Sequence, residues 1–295
     1  MHDDRQARLV DIGDTSLYVV QRGRDDAYPL IVLHGGPGDD HHEFGDYLDP
    51  LGEEHLLLFV DQRGQGRSGS SDPSTWTLQH MAADVGALAK ALELDDYAVL
   101  GHSFGSLVAL QNAVDFPDQA AATVVSAGFP SARYLEHVER NLAAFEPKEL
   151  REQVAASWAR ETEIETPEEF AQLIHEQLPF HFADPLDPRI AEYERRAAGA
   201  AYSAEVLRHF AASGYGGIEV EDRLVEVTQP VLVLAGRHDR ACSVDAAEAI
   251  ARGIPNAELV VFEHSGHMMF VEEPALYVAV VRDFLRRHTK DASKS

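Results

Sequence analysis

One cysteine, Cys242, stands in 295 residues, so no disulfide can close within the chain. That usage fits a reducing compartment. No uninterrupted apolar run approaches the ~20 residues of a membrane helix. The start, MHDDRQARLV, has no apolar signal core. A soluble, cytoplasmic protein is the expectation. Positive charge is scarce: 25 Lys plus Arg, of which four are lysine, face 50 Asp plus Glu, for a net charge of −25. Such an excess argues against nucleic acid or an anionic membrane as partner. The acids are spread along the whole chain, which reads as a solvated surface adapted to salt more than as a cation-binding patch. Internal repeats and low-complexity tracts are lacking too. The tail after Arg287, HTKDASKS, is expected to fray.

What the chain does have is a series of short apolar runs. Leu9 to Ile12 and Leu17 to Val20 flank Gly13-Asp14 and read as a hairpin. Further strands are expected at Leu30 to Leu33, Leu56 to Val60, Tyr97 to Leu100, Thr123 to Ser126, Val231 to Leu234 and Leu259 to Phe262. Most lack the polar alternation of a half-exposed strand, and helices separate them. That pattern predicts an α/β fold with a mostly parallel central sheet covered by helices on both faces. Phe44, Tyr47, Leu48 and Leu51 fall at helical spacing, as do Leu78, Met81, Val85, Leu88 and Leu92. From 129 to 218 the sequence reads mostly helical and forms an inserted cap. The core domain is then 1–128 with 219–295. Ligands of such sheets bind beyond the carboxyl ends of the strands. His34, Asp61, Ser103, Asp239 and His267 all lie at or just past such ends.

Gly101-His-Ser-Phe-Gly105 matches the nucleophile-elbow pattern, in which glycines permit a tight strand-to-helix turn around a serine. A serine needs a base and an orienting carboxylate. His267 is the expected base and Asp239 its orienter, in the order Ser, Asp, His. His264 is a rival base three residues away, and His238 reads as a packing or solvated residue. In His34-Gly-Gly-Pro-Gly38 the glycines let the backbone approach a substrate carbonyl. The amides of Gly36 and Phe104 would form the oxyanion hole. His34 and Gly35 are candidate substrate contacts. In Asp61-Gln-Arg-Gly-Gln-Gly-Arg-Ser68, Asp61, Arg63 and Arg67 are expected to form a buried turn network supporting that loop. Its GQG lacks the full dinucleotide string, so no nucleotide role is read. Asp39-Asp-His-His-Glu43 has metal-ligand residue types but reads as a solvated helix start. His175 and His181 are too far apart for H-E-x-x-H, and Pro179 is expected to interrupt their helix. Cys242 reads as incidental.

Together, HGGPG at 34–38, DQRGQGRS at 61–68, GHSFGS at 101–106, GRHD at 236–239 and HSGH at 264–267 resemble the proline iminopeptidase (serine aminopeptidase) family of α/β-hydrolases. The resemblance implies the α/β-hydrolase fold, the triad Ser103, Asp239 and His267, a helical cap over the site, and neither metal nor organic cofactor. It departs at Phe104, where the family often has tryptophan. The family's caps place carboxylates for the substrate's free amine. Glu192, Glu194 and Glu205 are the candidates here. The expected substrate is a small molecule or short peptide, and a homo-oligomer is left open. Aminopeptidase action on a small N-terminal residue such as proline is the first reading, carboxylesterase or lactonase action the second. A non-catalytic small-molecule receptor on the same fold is the reading from another class.

Overall fold

A computed structural model describes residues 6–289. The polar start and the tail after Arg287 lie partly outside the described residues. Eight strands form one sheet in the order β1-β2-β4-β3-β5-β6-β7-β8. They are β1 (Ala7–Asp11), β2 (Ser16–Gly23), β3 (Tyr28–Leu33), β4 (His55–Asp61), β5 (Ala98–His102), β6 (Ala122–Ser126), β7 (Val231–Gly236) and β8 (Ala257–Phe262). β1 and β2 make the expected hairpin, and β2 runs antiparallel to β4. The remaining neighbours are all parallel. β5 and β7 are buried along their whole length, which is why their sequences show no alternation.

Helices α1 (Leu78–Ala91) and α2 (Phe104–Asp115) pack on each other beside the sheet. Between β6 and β7 the chain makes a run of helices: α3 (Glu136–Ala143), α4 (Lys148–Ala159), α5 (Pro167–His181), α6 (Arg189–Arg196) and α7 (Ala204–Ala211). α8 (Val244–Gly253), α9 (Met269–Glu272) and α10 (Pro274–His288) complete the fold. α5 starts on a capping box, with Thr166 and Glu169 each accepting from the other's backbone. It runs through Pro179 to His181, because Pro179 lies in its last turn, where little of the hydrogen-bond ladder remains to be lost.

Residues 41–53 depart from the helix expected there. They form two 3₁₀ segments, His41–Phe44 and Asp49–Glu53. Gly45, at φ 48°, ends the first, and Pro50 opens the second. Phe44, Tyr47, Leu48 and Leu51 are buried nonetheless. The tighter winding turns residues 39–43 inward as well. Asp39, Asp40, His41, His42 and Glu43 are all buried, not solvated.

Candidate active site

The turn between β5 and α2 shows why the sequence places glycines around Ser103. A Cβ on Gly101 would stand 2.1 Å from the Gly105 carbonyl oxygen, and one on Gly105 2.3 Å from that of Leu33. Ser103 sits between them at φ 51°, ψ −120°, a strained conformation for a non-glycine residue. Its N–H donates to the Ser126 carbonyl at 2.9 Å, which fixes the turn to β6. Ser103 caps α2, so the Phe104 amide is among those with no acceptor within the helix. Gly36 and Phe104 both line the cavity that holds Ser103.

The loop after β3 is built on side chains from the loop after β4. Gln62 donates its backbone N–H to His34 Nε2 at 3.1 Å and its side-chain amide to the His34 carbonyl at 2.7 Å. His34 Nδ1 lies 2.9 Å from the Gly35 carbonyl. Burial pushes the His34 imidazole below its ordinary pKa, which suits a neutral ring that donates at Nδ1 and accepts at Nε2. Gln65 Oε1 accepts from Gly38 N–H at 2.5 Å. Asp61 takes His41 N–H and Nδ1 on one oxygen and Arg67 N–H on the other. Arg67 reaches Asp40 at 2.6 Å. Arg63 clamps Asp84 and Asp14 with both ends of its guanidinium. This is the buried network expected of Asp61, Arg63 and Arg67. His34 and Gly35 belong to that support and do not line the cavity. A Cβ on Gly35 would stand 2.9 Å from Ser103 Cβ and 2.6 Å from Glu43 Oε1, so only glycine fits beside the serine.

On the other side of the cavity, His267 Nδ1 lies 2.8 Å from Asp239 Oδ2. The other Asp239 oxygen accepts from the amides of Ala241 and Cys242, both at 2.8 Å. Burial opposes a charge on His267, but the Asp239 carboxylate outweighs it and holds the imidazole well above its usual pKa. The His267 ring lies between those of His102, at 5.0 Å, and His181, at 4.9 Å. Burial drives both neighbours down, His181 to about 3, so they are neutral companions to the ring. His264 and His238 are exposed and stand apart from this contact.

Segment 180–183, at the end of α5, is fastened to the same loop. The His181 carbonyl accepts from His267 N–H at 2.7 Å. Glu272 accepts from Ala183 N–H on one oxygen and from Gly266 N–H on the other. Arg240 donates to the carbonyls of Phe180, Phe182 and Ala183.

The cavity measures about 420 Å³. Ser103 and His267 line it together with an apolar wall that includes Leu107, Phe129, Leu178 and Leu207. Four carboxylates line it too, Asp39, Glu43, Glu139 and Glu161, and among the described residues neither lysine nor arginine does. They are not the acids that sequence reasoning chose. Glu192 is paired with Arg195 and Arg196, Glu205 is exposed, and Glu194 lines a neighbouring cavity. Neither Glu192 nor Glu194, both on α6, lines the cavity that holds Ser103. Glu161 is held by Tyr215 and Gln177 at 2.5 and 2.9 Å. Glu43 accepts from Gly35 N–H at 2.6 Å, and burial pushes its carboxyl up to about 7. Cys242 is not incidental: its buried thiol lines the cavity and contacts the His267 ring. Its only signal in the sequence was its place three residues after Asp239.

Two clusters bring metal-ligand residue types together: Asp40 with His41 and His42, and Asp239 with Cys242 and His267. In the first, Asp40 is committed to Arg67 and to the Ala201 amide, and His41 Nδ1 to Asp61. In the second, Asp239 and His267 bond each other. Both sets fit internal hydrogen bonding better than an ion.

The fold and this cavity define a class, the serine hydrolases built on a parallel sheet. The family model described as alpha/beta hydrolase fold matches residues 28–274. A proline iminopeptidase of Clostridium botulinum is 30% identical over 268 residues, 88% of this chain and 90% of that one. One from Saccharolobus solfataricus is 28% identical, over 91% and 88% of the two chains. The crystal structure of proline iminopeptidase from Mycobacterium smegmatis superposes with a TM-score of 0.73 at 28% identity, over 96% of this chain and 98% of the other. The chain belongs to the α/β-hydrolases and, among them, to the proline iminopeptidase-like family. Among the described residues no helix is long and apolar enough to cross a membrane.

Proposed function

We propose that this enzyme is an aminopeptidase that releases a small N-terminal residue, proline first, through an acyl-enzyme on Ser103, and that it acts in the cytoplasm. The observation that carries the reading is the charge of the cavity wall. Among the described residues four carboxylates and no lysine or arginine line the cavity of Ser103, which suits a substrate with a free ammonium group next to the scissile bond. Relatives named proline iminopeptidase support the same reading.

In the proposed reaction Ser103 Oγ attacks the carbonyl carbon while His267 Nε2 takes the hydroxyl proton. Asp239 holds the ring so that Nε2 faces the serine and stabilises the imidazolium that forms. The carbonyl oxygen becomes an oxyanion held by the amides of Gly36 and Phe104. The C–N bond then breaks as His267 returns its proton to the leaving amine. Water, deprotonated by His267, attacks the acyl ester, and the serine leaves with the proton. A second reading, an esterase, is favoured by the apolar share of the wall, which would accept a plain acyl chain.

A paired assay separates them, with wild type and Ser103→Ala given proline p-nitroanilide, N-blocked proline p-nitroanilide and p-nitrophenyl acetate. The reading expects turnover of the free-amine anilide, loss of it on blocking, and loss of at least ~10⁴-fold in kcat in the variant. Ester turnover alone makes the enzyme an esterase. Unchanged activity in Ser103→Ala overturns the mechanism.

A further inference from the structure

The catalytic cavity has a neighbour. Asp39, Ile174, Leu178 and Tyr193 face both it and a second chamber of about 200 Å³, which Tyr202 and Glu194 also line. Two buried polar groups in the shared wall are unused. Asp39 is 6% exposed; one of its oxygens accepts the Asp40 amide at 2.8 Å, and the other has no partner among the described residues. Tyr193 is 5% exposed, and its hydroxyl makes no hydrogen bond among them. Both groups belong to buried residues and open onto the void, so a ligand placed there could bond them.

The chemistry of the chamber selects that ligand. Asp39 and Glu194 supply carboxylates, the second already paired with His175 at 2.5 Å. Tyr193 and Tyr202 supply aromatic rings, which attract cations at their faces. Ala171, Ile174 and Leu178 supply an apolar flank. Among the described residues neither lysine nor arginine lines the chamber to satisfy the acids from within. Burial and the nearby Glu43 already disfavour charge on Asp39, and a cation would relieve that.

We propose that the chamber binds a primary ammonium or guanidinium group on an alkyl stem, held between the Asp39 carboxylate and the Tyr193 hydroxyl. Its occupant is the basic side chain of a lysyl or arginyl residue whose carbonyl sits at Ser103, which extends the residues released beyond small ones such as proline; that last step rests on the aminopeptidase reading, whereas the site itself does not.

Calorimetric titration with n-butylammonium chloride, with n-butanol as neutral control, tests the site without any catalysis. Butylammonium is expected to bind at least 10-fold tighter than butanol. Asp39→Asn should weaken it at least 10-fold, and Tyr193→Phe and Glu194→Gln about 3-fold each, with unfolding temperatures measured to show that each variant folds. Equal binding of alcohol and amine overturns the proposal. So does an affinity that falls in Glu161→Gln but not in Glu194→Gln, which would put the ammonium in the catalytic cavity. For the substrate step, lysyl p-nitroanilide should exceed norleucyl p-nitroanilide at least 10-fold in kcat/KM, with the ratio falling towards 1 in Asp39→Asn. If neither anilide is cleaved the aminopeptidase reading fails, and the titration still decides the site.

Discussion

Replacing Gly266 by alanine tests whether the end of α5 holds His267, the proposed base, in place. The new Cβ would stand 2.5 Å from the His181 carbonyl oxygen, 2.8 Å from Ala183 N and 2.8 Å from the Phe182 carbonyl carbon. All three are backbone atoms, so no side chain can swing away. Ordinary contact begins near 3.4 Å, so one segment must retreat by roughly 1 Å. Segment 180–183 resists, because Arg240 holds three of its carbonyls and Glu272 the Ala183 amide. The loop carrying His267 therefore takes most of the shift. Overpacking of this kind costs about 1–3 kcal/mol. A 1 Å misplacement of a catalytic group can cost ~10²-fold in rate. Gly266→Ala should lower the unfolding temperature by a few degrees and kcat/KM by about 10²-fold, mainly in kcat. Scanning calorimetry and steady-state assays of the purified variant measure both. Gly69→Ala is the control, since its Cβ would meet Ser16 N at only 3.2 Å, far from the cavity. If Gly266→Ala keeps wild-type kcat/KM and stability, the fastening does not position His267 and the reasoning fails.

Other consequences can be measured in the same preparations. Arg63→Ala should cost about 3–5 kcal/mol in urea unfolding, because it strands the buried Asp84 carboxylate; joint replacement by Arg63→Met and Asp84→Leu should recover most of that. Asp239→Asn should cut kcat by up to ~10⁴-fold. It also removes the charge that raises the His267 pKa, so the rise of kcat/KM with pH should move to lower pH, and a profile that stays put would contradict the pairing. Burial raises the Glu43 carboxyl to about 7, above its unfolded value, so the folded state holds a proton that the unfolded chain releases near 4.5. Wild type should thus lose stability as pH rises from about 4.5 through 7. Glu43→Gln should flatten that slope and be the more stable of the two above pH 7, as read from unfolding temperatures at pH 5 to 8.

The strand pattern was legible because the physics behind it is local. A strand buried on both faces needs an unbroken apolar run, and β5 and β7 show one. The glycine strings were legible for a related reason, since the close approach at Gly101 and Gly105 tolerates no side chain. Ser103, Asp239 and His267 could be placed at one edge from the strand ends alone. Residues 39–43 could not be read in the same way. Their burial depends on Asp61 and Arg67, some 20–27 positions along the chain, and on 3₁₀ winding that periodicity does not announce. The acids of the helical run were misjudged because an isolated glutamate on a helix carries no mark of which way it faces. Glu161 is buried by Tyr215, 54 residues away, while Glu192 is occupied by its own neighbours on α6.

The helical run between β6 and β7 is tied down at both ends of the site. Segment 180–183 is bound to the base loop, and near residue 200 the Ala201 amide meets Asp40 while Ser203 meets the Gly38 carbonyl and the Gly66 amide. Lifting the run as a rigid door would tear hydrogen bonds from His267 on one side and from the HGGPG loop on the other. At Leu135, Val138 and Glu139, on and before α3, the cavity wall is half-buried to exposed and offers a rim for exchange with solvent. Rotamer changes at such a rim take nanoseconds, against microseconds to milliseconds for a hinged lid. If traffic passes through that rim, bond breaking and not cap motion sets the rate, and kcat should not respond to solvent viscosity.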